Sequence, residues 1–169
     1  MLSIQRATIV AVLWLSMSSV LPGGEAVFQY SIQLNPPKGQ PSRAFLWVPA
    51  EAKQIRGVVV AGMTLAEREL VKDLRIRKAC ASEQLALVFL KTGLGAVQIP
   101  QVLEDLAKIS GYRELPFAPL FFVGHSAGGP QAKALAREYQ KRCVGLMQYR
   151  GGHPGGDEPV PPGLPALVM

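Results

Sequence analysis

Five consecutive residues, Gly124-His125-Ser126-Ala127-Gly128, have types and spacing that could do covalent chemistry. A serine hydroxyl is a weak nucleophile unless a neighbouring base takes its proton and positioned donors stabilise the negative charge that develops on the attacked oxygen. Glycines two positions to either side allow a turn tight enough to lift such a serine clear of the backbone. The pentapeptide alone also fits an ordinary glycine-rich turn, so its context decides. It follows the apolar run Pro119–Val123 and immediately precedes a helical stretch, Gly129–Arg142. A strand-turn-helix context is what a strained nucleophile turn requires. The amides of the following helix then face the developing charge. His125, next to Ser126 on a sharp turn, is expected to support the turn from behind rather than to act as its base.

The elements that must position this turn follow from periodicity. Val27–Leu34 alternates, placing Phe28, Tyr30, Ile32 and Leu34 on one face of a half-buried strand. A turn at Asn35-Pro36-Pro37-Lys38-Gly39 leads to a second strand, Arg43–Val48, completing an antiparallel hairpin. Arg56–Gly62, Leu85–Leu90, Leu120–Val123 and Val144–Tyr149 are apolar without alternation, as strands covered on both faces are. Leu167-Val168-Met169 reads as the start of another strand.

Between them lie helices. Thr64 with Glu67 three residues on is a capping box, opening one helix through Ala81 with Leu65, Leu70, Leu74 and Cys80 along a face. Pro100 suits the first turn of the next helix and Gly111 its end. In the third, Lys141 and Arg142 complement the negative end. Strand and helix alternate after an antiparallel start, which predicts an α/β three-layer domain with a mostly parallel sheet.

With these elements in this order, the chain from Val27 to Met169 resembles the α/β-hydrolase superfamily, particularly secreted esterases of the dienelactone-hydrolase and polyhydroxybutyrate-depolymerase type. The resemblance implies that Ser126 is the nucleophile toward a small-molecule or polymer-linked ester. The oxyanion donors it implies are the backbone N–H of Ala127 and one from the Gly62-Met63-Thr64 loop, with Met63 the choice. Gly124 and Gly128 are the glycines of the turn. No metal or organic cofactor is implied.

The resemblance also implies an acid after the seventh strand and a histidine after the eighth, and the sequence ends at Met169, within the expected seventh strand. The expectation is therefore a fold incomplete at its carboxyl end, inactive as it stands and prone to expose apolar surface. His153 as base and Asp157 as acid, in the loop 151–162, are the substitutes within the chain. A non-catalytic exported binding protein that keeps the fold is the alternative.

Composition narrows the rest. The 169 residues suit one domain, and 49% apolar against 18% charged residues permits a packed core. Two cysteines exclude a dense disulfide scaffold and a four-thiolate zinc site. Cys80 and Cys143 fall on opposite faces of the expected sheet, so each is read as a buried apolar residue rather than half of a bridge. The net charge of +6 is spread over expected helix surfaces (Arg68, Lys72, Arg75, Arg77, Lys78, Lys133, Arg137, Lys141 and Arg142) with no aromatic-interleaved stripe, arguing against nucleic acid as partner. Residues 1–26 have a basic start, an uncharged apolar run Ala7–Leu21 and small residues ending at Ala26, the layout of an export signal. The apolar run is too short for a stable membrane span. The domain proper is expected to occupy residues 27–169.

Overall fold

The computed structural model describes residues 27–35, 41–62, 64–93, 98–150 and 159–169. Among these residues, seven strands and four helices follow one another: β1 (Tyr30–Leu34), β2 (Ser42–Trp47), β3 (Gly57–Gly62), α1 (Leu65–Lys72), α2 (Leu74–Ser82), β4 (Leu85–Leu90), α3 (Ile99–Ser110), β5 (Leu120–His125), α4 (Gly128–Glu138), β6 (Cys143–Tyr149) and β7 (Ala166–Val168). One sheet contains all seven strands, in the order β1-β2-β4-β3-β5-β6-β7. β1 and β2 are antiparallel, β2 runs antiparallel to β4, and every pairing from β4 to β7 is parallel. The expected α/β architecture and mostly parallel sheet are what the chain forms.

The two faces of the sheet are buried in separate clusters. One, under α3 and α4, includes Val58, Val60, Val88, Leu90, Leu103, Leu106, Phe122, Leu135 and Leu146. The other, under α1 and α2, gathers Trp47, Ala61, Val71, Cys80, Leu87, Phe89 and Val123. Strand residues alternate between the two clusters, as the pleat demands. Cys80 and Cys143 are both free, both buried and in different clusters, on opposite faces of the sheet as expected.

Several local expectations are corrected. The helix read as continuous from Thr64 through Ala81 breaks at Asp73, whose φ of −61° and ψ of 124° are extended. Its carboxylate accepts hydrogen bonds from the N–H groups of Arg75 (2.8 Å) and Ile76 (3.4 Å), capping a second helix. The break rotates the apolar face. Leu65 and Leu74 are exposed, Val71 points inward, and of the expected face Cys80 is buried and Leu70 half-buried.

β1 begins at Tyr30; just ahead of it the Gln29 N–H donates to the Leu46 carbonyl at 3.2 Å and the Gln29 side chain clamps the main chain of Val48. Its Nε2 donates to the Val48 carbonyl at 2.8 Å and its Oε1 accepts from the Val48 N–H at 3.0 Å. Phe28, ahead of this clamp, leaves the face of Tyr30 and Ile32 and packs its ring against Phe45 and Phe89 on the opposite side. α4 stops at Glu138, so Lys141 and Arg142 lie beyond it, and Arg137 is the basic residue of its last turn. Arg142 instead donates from Nη2 to the Ala118 carbonyl at 2.8 Å. Lys133, expected on a surface, is buried.

Candidate active site

β5 delivers the chain to the carboxyl edge of the sheet and α4 takes it away, with Ser126 and Ala127 between them. Ser126 has a φ of +50°, in the left-handed region that non-glycine residues avoid. Two hydrogen bonds hold it there. Its N–H donates to the Tyr149 carbonyl on β6 at 3.0 Å, and its own carbonyl accepts from the Gly129 N–H at 3.0 Å, closing the first turn into α4. Strain of this kind persists only where the surroundings over-determine it.

The two glycines of the turn are required by close approach. A Cβ on Gly124 would overlap the Gly128 carbonyl and come within 2.8 Å of the Gly129 Cα. A Cβ on Gly128 would overlap the Glu67 carboxylate. Both glycines are buried, whereas Ser126 and Ala127 are exposed at the sheet edge. The hydroxyl of Ser126 is therefore accessible, and the main chain that presents it is packed.

Glu67 is the residue whose role sequence reasoning reads only in part. Its side chain is almost fully buried, at 1% exposure. Oε2 accepts from the Thr64 N–H at 2.6 Å, the expected capping interaction. Oε1 accepts from the His125 N–H at 2.8 Å, a bond that ties the loop after β3 to the turn after β5. The Thr64 hydroxyl lies 3.1 Å from His125 Nδ1, a second tie between the same two segments.

His125 thus stands behind the turn, as expected. Its ring also stacks on Tyr149, with centroids 5.5 Å apart and planes 27° apart. The Arg150 guanidinium sits 5.5 Å from the centroid of Tyr149. Arg150 is itself left-handed, with a φ of +46°, and follows β6 beside the turn that follows β5. Nothing in the residue types of Tyr149 and Arg150 marks them as neighbours of Ser126. Their place comes from the parallel register His125↔Tyr149.

Gln148 pairs in register with Gly124 and is wholly buried, and neither atom of its side-chain amide has a hydrogen-bond partner among the described residues. Met63, His153 and Asp157 lie outside the described residues. Among the described residues no three histidine, cysteine or acidic side chains converge as a metal site would need, and no helix is long and apolar enough to cross a membrane.

No family model matches the chain, and no curated protein matches it. Solved structures do overlap it. A highly thermostable carboxyl esterase from Bacillus coagulans is 16% identical, with 70% of this chain and 43% of that one covered and a TM-score of 0.44. S-formylglutathione hydrolase from Staphylococcus aureus is 14% identical, with 70% and 55% covered and a TM-score of 0.48. The esterase domain of a Rhodothermus marinus protein is 21% identical, with 70% and 48% covered and a TM-score of 0.45. The chain spans about half the length of these structures. Strand order carries the assignment rather than these distant overlaps. An antiparallel β1-β2 pair, the β4-β3-β5 reversal at the sheet centre and a left-handed serine between β5 and the following helix give this chain an α/β-hydrolase-like fold.

Proposed function

We propose that the chain is a serine hydrolase acting on carboxylic esters, small-molecule or polymer-linked, through an acyl-enzyme intermediate. Ser126 is the nucleophile. Its Oγ attacks the acyl carbon, the carbonyl oxygen becomes an oxyanion, and the alcohol leaves with a proton as the acyl group transfers to serine. Water then hydrolyses that ester and restores the hydroxyl. The backbone N–H groups of Ala127 and Met63 are the proposed oxyanion donors. In the fold family the acid and base follow the seventh and eighth strands. Within this sequence, His153 and Asp157 are the candidates for those roles. Residues 1–26 are proposed to direct export and then to be removed.

The observation that carries this reading is the left-handed Ser126, exposed at the end of β5 between two glycines that have no room for a side chain. A fluorophosphonate probe tests it. Where His153 supplies the base, the chain is labelled at Ser126 and hydrolyses a short-chain aryl ester, and Ser126→Ala abolishes both. Mass spectra of the labelled, exported product also read its amino terminus, expected at Val27. Turnover that survives Ser126→Ala overturns the nucleophile assignment. Absence of both labelling and turnover in the wild type means that His153 and Asp157 do not serve as base and acid, and leaves a hydrolase fold inactive as it stands or an exported binding protein that keeps the fold.

A further inference from the structure

Capping α1 uses one oxygen of Glu67, and the bond to His125 is left without a purpose on that account. The parallel register of β3 and β5 supplies one. Pairing ends at Ala61↔Val123, while β5 continues to His125. The N–H of Ser126 points toward β6, so the N–H of His125 points the other way, toward the line β3 would have followed. Beyond the last paired residues, Glu67 Oε1 takes this N–H at 2.8 Å. The same carboxylate holds the Thr64 N–H at 2.6 Å.

A buried carboxylate is costly unless hydrogen-bonded. Here two amide N–H groups and the positive first turn of α4, at Gly128, offset that cost. The carboxylate occupies the space where a side chain at position 128 would sit. It is therefore packed from three sides, against the loop after β3, the end of β5 and the start of α4.

We propose that Glu67 is a positioning residue, a strut that sets the distance between the loop after β3 and the Ser126 turn, and so aligns the amides that receive the oxyanion. This rests on the serine-nucleophile reading above. A displacement of about 1 Å between such segments costs on the order of a hundredfold in rate, so the strut matters to the reaction although it touches no substrate.

The test uses the full chain with Glu67→Gln, Glu67→Ala, Gly128→Ala and the double variant, read two ways. In ¹H–¹⁵N spectra the His125 and Thr64 amide protons are expected downfield in the wild type and shifted upfield in Glu67→Gln, with the Leu106 and Phe122 amides unmoved. This readout needs no activity. The fluorophosphonate labelling rate is expected to fall about tenfold or more in Glu67→Gln, as when a donor to an oxyanion is lost. Gly128→Ala, whose Cβ overlaps the carboxylate, is expected to slow labelling similarly in the wild type and to add nothing in the Glu67→Ala background, a coupling that a double-mutant cycle reads directly.

Labelling in Glu67→Gln at or above the wild-type rate, with the two amides shifted, overturns the positioning role. Amides that do not shift overturn the strut itself. Should Glu67→Ala fail to fold, Gly128→Ala against the wild type probes the same contact from its other side. If the wild-type chain is not labelled at Ser126, the nucleophile reading falls and the positioning role falls with it, while the amide shifts still report whether the strut exists.

Discussion

The two faces of the sheet are built to different standards. Under α3 and α4, side chains from six strands interdigitate with two helices, and Leu103, Leu106, Leu120, Phe122 and Leu146 have no exposure at all. Under α1 and α2, the cover comes from a helix broken at Asp73. It shields Ala61, Leu87 and Val123 but leaves Val59, Leu85, Phe121 and Met147 half-buried. There the sheet shows a wholly apolar groove of about 250 Å³, lined by Gly57, Val58, Val59, Leu85, Pro119, Phe121 and Val144. β7 at the adjacent edge is exposed along its length, Leu167 and Val168 included. Burial, and with it stability, is therefore concentrated on one face. The Ser126 turn spans the two, since β5 contributes Phe122 to one cluster and Val123 to the other.

The sharpest way to break this comparison is to remove one side chain from each face. Phe122→Ala is expected to destabilise by about 3–5 kcal/mol, because a buried ring leaves both a transfer cost and a cavity. Val59→Ala, at the groove, is expected to cost about 1 kcal/mol or less, since its methyls are half in water already and no closed cavity forms. Urea unfolding with unchanged slope measures both. Equal losses at the two sites would show that the faces are equally packed.

A smaller effect of opposite sign belongs to the turn between the faces. Ser126→Gly removes a left-handed non-glycine residue, whose strain is on the order of 1–3 kcal/mol. Glycine's extra unfolded-state entropy offsets about 0.5–1 kcal/mol of that. The variant is expected to be about 1 kcal/mol more stable, with labelling lost. A destabilised variant would mean that the serine side chain itself holds the turn.

The smallest effect is expected at the break in the thinner cover. Hydrogen bonds and charge from Arg75 hold the Asp73 carboxyl at about 2, below its ordinary 3.8. A depressed carboxylate contributes stability above its unfolded pKa and loses it as pH falls through the folded one, so its contribution fades between roughly pH 4 and pH 2. Carboxyl NMR is expected to give a midpoint near 2 for Asp73, and Arg75→Ala is expected to move it upward. The change in global stability is expected to be slight, because Asp73 and Arg75 meet at the surface, where solvent screens their attraction.

What could be read in advance divides along similar physical lines. β3 to β6 were legible because an unbroken apolar run has few other places to go in an α/β domain. The turn was legible because Gly124, Ser126 and Gly128 encode it locally. The break at Asp73 was not, since an aspartate on a helix surface looks the same whether it caps or continues. Phe28 was misplaced because period-two counting presumes the strand goes on, whereas the regular strand starts only at Tyr30, after the Gln29 side chain has clamped Val48. Half of Glu67 was visible as a cap three residues from Thr64. Its other bond joins it to His125, far along the chain, and only the end of β3–β5 pairing creates the need for it.

Glu67 and Gly128 also constrain one another in descent. If position 128 gains a methyl first, it strikes the carboxylate. If position 67 loses its carboxylate first, two amides are left bare. Either single step passes through a damaged protein, and changing both leaves the two amides as bare as the loss at position 67 alone. The two positions form a lock in sequence space, and drift elsewhere in α1 or α4 can proceed without opening it.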